Sequence, residues 1–185
     1  METNSHTYKE KLFNQIEDAY GKVVYTYTTH IIQASRIEKK NRVLKWVELI
    51  LSALSAGGFL ATVITDKVVL AWIGGLCSTA LLVLTAYFRD VEFAQKQQLH
   101  LNVANELWSI REDYVSLMVD FEILELAEAA KRRDLLKQSV ESVYSKAPVT
   151  DKKSYIMAQK AIKENESQYF SRDELNQMLP EMLRK

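Results

Sequence analysis

The chain has one cysteine, Cys77, so it can form neither an internal disulfide nor a cysteine-based metal cluster. Prolines number only 2, Pro148 and Pro180, and glycines 5 in 185 residues, which leaves long stretches without a helix breaker. Charge of either sign is not in excess: 24 Lys and Arg balance 24 Asp and Glu. The basic footprint of a nucleic-acid-binding domain is therefore missing, and no direct nucleic-acid contact is expected. Gly57-Gly58 and Gly74-Gly75 lie inside apolar runs with no Lys-Ser or Lys-Thr after them, so neither is a phosphate loop. The histidines His6, His30 and His100 are not in metal-site spacing with other ligands, and no serine stands in an elbow or triad context. An enzyme is not expected, nor a cofactor or a metal. The segment before Arg42 is polar and periodic, without the basic, apolar and small-residue regions of an export leader, so no cleavage for export is expected.

Against these absences stand two uncharged apolar runs, Leu49 to Thr65 and Val68 to Phe88, separated only by Asp66-Lys67. A bilayer core of about 30 Å takes roughly 20 apolar residues in a helix. The second run meets this alone, and the first does so when Val43 to Glu48 is included, with Lys45 snorkelling and Glu48 near the headgroups. A transmembrane helical hairpin, with spans at about 43–65 and 68–88, is the reading; burying two all-round apolar helices within so short a chain would leave little protein to cover them. Arg36, Lys39, Lys40, Arg42 and Lys45 crowd the approach to the first span, and Arg89 and Lys96 follow the second, whereas the turn carries only Lys67 beside Asp66. The positive-inside rule then puts both termini in the cytoplasm, and the basic cluster should attract anionic lipid.

Before the hairpin, apolar residues recur at Leu12, Ile16, Ala19, Val23, Tyr27, Ile31, Ala34 and Ile37, steps of three or four that predict an amphipathic helix from Tyr8 after a short polar start. After it, Val103, Leu107, Ile110, Tyr114, Leu117, Phe121 and Leu124 have coiled-coil seam spacing on a helix predicted from near Asp90 to about Lys146, ended by Pro148. Phe93, Leu101, Trp108, Val115 and Met118 widen that surface toward a bundle of three or more helices. At about 1.5 Å per residue the second helix would outrun the first, so its surplus must fold back, project or meet another subunit. A short helix follows from Asp151 to about Glu164, capped by Thr150 or Asp151. Beyond a polar linker at 164–167, Ser171 and Glu174 form a capping box for a last helix that Pro180 ends. The expected fold is an all-α membrane protein: a two-helix transmembrane hairpin continuous with a long antiparallel cytosolic helical bundle. Its parts are an N-terminal amphipathic helix at 1–42, the hairpin at 43–89, the long helix at 90–147 and a helical tail at 148–185.

Within the spans, Ala53, Gly57 and Ala61, and Ala71, Gly75 and Thr79, are small residues four apart that let helix backbones approach closely in lipid. Both faces can meet within one hairpin. Alternatively, a hydroxyl stripe of Ser52, Ser55 and Thr62, with Ser78 and Thr85, lines a path between several hairpins, with Glu48 as a ring at its mouth. Hydroxyls that bond their own helix carbonyls, and a Glu48–Lys45 pair at the interface, are the plainer readings. His30 and His100 stand at similar distances from their spans, so antiparallel helices could bring them together as a pH-sensitive or metal-binding pair; two ordinary surface histidines are the commoner outcome. Lys131-Arg132-Arg133 reads as a solvated helical face before a headgroup, RNA or nucleotide contact.

The N-terminal helix with Tyr20-Gly21, the Arg36-Ile37-Glu38-Lys39-Lys40 approach, the closely spaced hairpin, the long helix from Arg89 and the closing Leu179-Pro180-Glu181-Met182-Leu183-Arg184 together resemble the SLATT superfamily of bacteria. These are two-transmembrane effectors associated with SMODS nucleotidyltransferases and SLOG proteins, and the resemblance is to a subgroup found beside reverse transcriptases or nucleotidyltransferases. It implies an effector of anti-phage defence: an upstream enzyme senses infection, and the effector homo-oligomerises, permeabilises the inner membrane and stops the infected cell. It supplies no catalytic residue. The rival reading is a non-conducting membrane scaffold that recruits a partner enzyme through its cytosolic helices; a lysis-type holin fits less well with so large a cytosolic body.

Overall fold

The computed structural model describes residues 2–88, 92–164 and 170–184, with the side chains of 2–6 and 183 excepted. It is all-helical, with no strand among the described residues: α1 (Glu2–Thr65), α2 (Val68–Phe88), α3 (Phe93–Asp120), α4 (Leu126–Lys146), α5 (Lys152–Lys163), α6 (Arg172–Met178) and a closing 3-10 turn (Glu181–Leu183). Arg89, Asp90 and the linker residues at 165–167 lie outside the described residues. The chain divides into two units, Met1–Gln33 with His100–Lys185, and Ala34–Leu99.

In the first unit the predicted stripes become the core. Leu12, Ile16 and Val23 of α1 and Val103, Leu107, Ile110, Tyr114, Leu117 and Phe121, five from α3 and the last from just after it, are buried in one apolar cluster. Contacts climb α1 as they descend α3: Lys9 to Glu122, Phe13 to Phe121, Tyr27 to Trp108, His30 to His100. The Trp108 ring packs on Tyr27 and also faces Arg111, whose guanidinium carbon is 4.5 Å from the centroid. The helix expected to run unbroken to Lys146 is in fact two. After Asp120 the chain turns, the Asp120 carbonyl accepting from the N–H groups of Ile123 and Leu124, and α4 starts at Leu126. No Gly or Pro marks this turn; it is set by packing, because folding back buries Ala129 and Val143 against the same cluster. The polar start at 2–7 also differs from expectation, being already part of α1. Thr28 and Thr29 return their hydroxyls to the carbonyls of Val24 and Tyr25, within a helix that runs on from Glu2 to Thr65.

Further along, Asp151 caps α5 by accepting from the Ser154 N–H at 2.7 Å, and Ser171 and Glu174 make the reciprocal capping box on α6. Pro148 lies just past the end of α4, and Pro180 just past α6.

In the second unit α1 and α2 form a tight hairpin. Asp66 has φ 55°, the left-handed conformation that ends α1, and its N–H bonds the Thr62 carbonyl. The helices carry apolar side chains outward on all sides: Phe59, Val63, Ile64, Trp72, Leu76 and Leu82 are each more than half exposed, Ile64 by 81%. Both helices are long and apolar enough to cross a membrane, and the apolar windows are not covered by the rest of the protein. That arrangement suits lipid and not water as the surrounding medium.

Candidate functional site

Two features stand out, one in each unit. The first is a buried histidine pair. His30, on the core-facing side of α1, is 3% exposed and His100, in α3, is 4% exposed. Their Nδ1 atoms are 2.9 Å apart, which requires one ring to donate an Nδ1–H and the other to accept on its Nδ1 lone pair. Burial, and secondarily the charge of His100, lowers the pKa of His30 to about 4. Burial lowers His100 as well, while the Asp151 carboxylate works in the opposite direction. Beside the pair, Gln33, one turn beyond His30 on α1, accepts on Oε1 from the Ser154 hydroxyl at 2.6 Å, and Ser154 is fully buried at the start of α5. The two helices of the pair and α5 are thus joined by side-chain hydrogen bonds in one polar layer, beside the apolar core. Among the described residues no three His, Cys, Asp or Glu side chains are grouped to hold a metal ion.

Of the two arrangements open for these histidines, the structure takes the paired one. Sequence spacing marked both residues; their burial, and the part played by Gln33 and Ser154, had no local signal. A half-buried Gln or a buried Ser looks the same in sequence as a solvated one.

The second feature is the contact between α1 and α2. A Cβ added to Gly58 would lie 3.2 Å from the Gly74 Cα, and one added to Gly74 would lie 3.1 Å from the Ser55 carbonyl oxygen. Ser55 and Ser78 bond hydroxyl to hydroxyl at 3.0 Å across the same seam. The contact therefore runs one position away from Gly57 and Gly75, whose added Cβ atoms would meet nothing within 4 Å. Ala53, Gly57, Ala71, Gly75 and Thr79 are exposed, and Ala61 is half-buried. Of the hydroxyls, Thr62, Thr79 and Thr85 return to their own helix carbonyls at Gly58, Gly75 and Leu81, leaving Ser55 and Ser78 as the cross-helix pair; Ser52 is exposed. Glu48 is half-buried and Lys45 exposed. In the basic approach, Lys40 lies 5.5 Å from the ring centroids of both Phe88 and Phe93. Arg42 pairs with Glu38, Arg36 is half-buried and Lys39 is exposed.

Residues 12–174 match the family model described as SMODS and SLOG-associating 2TM effector domain family 4. No curated protein and no solved structure matches the chain.

Proposed function

We propose that this chain, which belongs to the SMODS and SLOG-associating 2TM effector domain family 4, is the membrane effector of a bacterial anti-phage defence system. The observation that carries the reading is a two-helix hairpin, apolar on every side, in a chain matched over residues 12–174 by a 2TM effector family. The hairpin resides in the inner membrane with both termini cytoplasmic, where Arg36, Lys39, Lys40, Arg42 and Lys45 meet anionic headgroups. The rest of the chain forms an antiparallel cytosolic bundle that receives the signal from a nucleotidyltransferase or reverse transcriptase encoded nearby.

Activation is a shift in population: the cue binds the assembled state more tightly than the resting one, and several hairpins associate. Gly57 and Gly75 support this, since each is a small residue left uncovered within a single chain, where a second hairpin can approach closely. Leakage through the assembly stops growth or kills the infected cell. The test is expression in a bacterium challenged with phage in the presence of a membrane-impermeant dye. An effector admits dye and collapses the membrane potential after infection. Dye exclusion with the potential intact through the growth arrest would leave a non-conducting anchor for a partner enzyme.

A further inference from the structure

The histidine pair sets a limit on charge that the rest of the core does not share. Its neutral form has one Nδ1–H pointing at one bare Nδ1 across 2.9 Å. A first added proton goes to the Nε2 of the donor ring and leaves the bond intact, now charge-assisted. A second proton has only the acceptor Nδ1 to bind. Two N–H groups would then face each other across that gap, and two positive rings would share a buried layer.

We propose that the His30–His100 bond is an acid-released latch between α1 and α3, closed while the pair carries at most one added proton and opened by the second. Titratable and charged groups stand near it among the described residues. The Asp151 carboxylate at the head of α5 favours charge on His100, so that ring takes the first proton and His30 the second. Lys152 and Lys153 at the start of α5, and Lys96 one turn before His100, are exposed and screened by solvent. Gln33, Ser154, Thr28 and Thr29 are polar without titrating.

The sign follows from the direction of the shift. His30 titrates near 6.5 when exposed and at about 4 when paired, so the closed form is fully favoured above 6.5 and loses that advantage as pH falls toward 4. Between pH 7 and pH 5 this residue alone raises the opening constant about 20-fold, and His100 adds to it. A metal ion is the less suitable occupant, because no third ligand side chain is grouped with the pair among the described residues. The latch regulates the effector proposed above and in that sense rests on it: a leak that lets protons into the cytosol would open further latches. The opening itself is a property of the helices and is measured without any leak.

The experiment is amide hydrogen exchange on the full-length protein in detergent micelles at pH 7 and pH 5, each corrected with an unfolded reference for the intrinsic rate. Peptides covering residues 24–33 and 100–107 should lose protection by about 20-fold or more at pH 5, while the His30→Leu, His100→Leu double variant keeps its protection. Unchanged protection in the wild type overturns the latch. So does an equal loss in the double variant, which would place the titrating group elsewhere. Should the double variant not fold, His30→Gln keeps a polar side chain there, and its loss of protection should shrink to the share of His100; an undiminished loss again overturns the proposal. None of these outcomes depends on dye entry, so the latch and the leak fail separately.

Discussion

Gly58 and Gly74 meet backbone to backbone across the hairpin, close enough that a Cβ on Gly58 would lie 3.0 Å from the Leu70 carbonyl and 3.2 Å from the Gly74 Cα and N. Rigid backbone, not a movable side chain, is the obstacle, so a larger residue has no cheap escape. Gly58→Leu or Gly74→Leu should therefore splay α1 from α2 and destabilise the hairpin by about 1–3 kcal/mol, read as a lower midpoint of thermal unfolding in detergent. Gly57→Leu and Gly75→Leu should leave that midpoint within about 0.5 kcal/mol, since nothing lies within 4 Å of their added Cβ, while abolishing toxicity through lost subunit packing. Full toxicity in both of the latter variants would remove these glycines from any subunit contact.

The Ser55–Ser78 hydroxyl pair gives a covalent check on the same seam. In a Cys77→Ala background, Ser55→Cys with Ser78→Cys should oxidise to a bridge within one chain, because the Oγ atoms they replace are 3.0 Å apart. A non-reducing gel should show a faster monomer. A ladder of linked dimers instead would place these positions between subunits.

Asp151 caps the start of α5, its carboxylate accepting from the Ser154 N–H at 2.7 Å. Asp151→Ala should cost about 1 kcal/mol in denaturant unfolding, the usual worth of an N-cap, and Asp151→Asn should restore most of it. If Asn rescues nothing, the carboxylate charge, and not the cap, is what the protein uses there.

Leu107 is fully buried at the centre of the first unit, whereas Val119 of the same helix is 75% exposed. Leu107→Ala should lower stability by about 2–5 kcal/mol, and Val119→Ala by less than about 0.5 kcal/mol. Equal losses at the two sites, measured by circular dichroism in detergent, would mean that α3 is turned in its bundle from the orientation described.

Much of the architecture was legible because its signals are local. The seam from Val103 to Phe121 buries all six of its residues, and the two apolar runs end where α1 and α2 end, at Thr65 and Phe88. The capping box of Ser171 and a cap at Thr150 or Asp151, of which the structure uses Asp151, depend on residues a few positions apart and were readable for the same reason. The turn after Asp120 was not, since its residues contain no breaker and a continuing helix has the same periodicity. Nor was the choice of Gly58 and Gly74 over their neighbours Gly57 and Gly75, because small residues and hydroxyls stand on more than one face of these spans and none of them alone marks the side where Ser55 meets Ser78.

By itself, then, the sequence determined which segments are helices, which face of each is apolar, and that residues 49–88 suit lipid, because periodicity, caps and hydropathy act over a turn or two of chain. Only the tertiary structure decided that α4 folds back, that Gly58 meets Gly74, and that His30 and His100 share one hydrogen bond in a buried layer. Those are matters of register between helices, and sliding one helix by a single turn keeps every local preference while changing every partner.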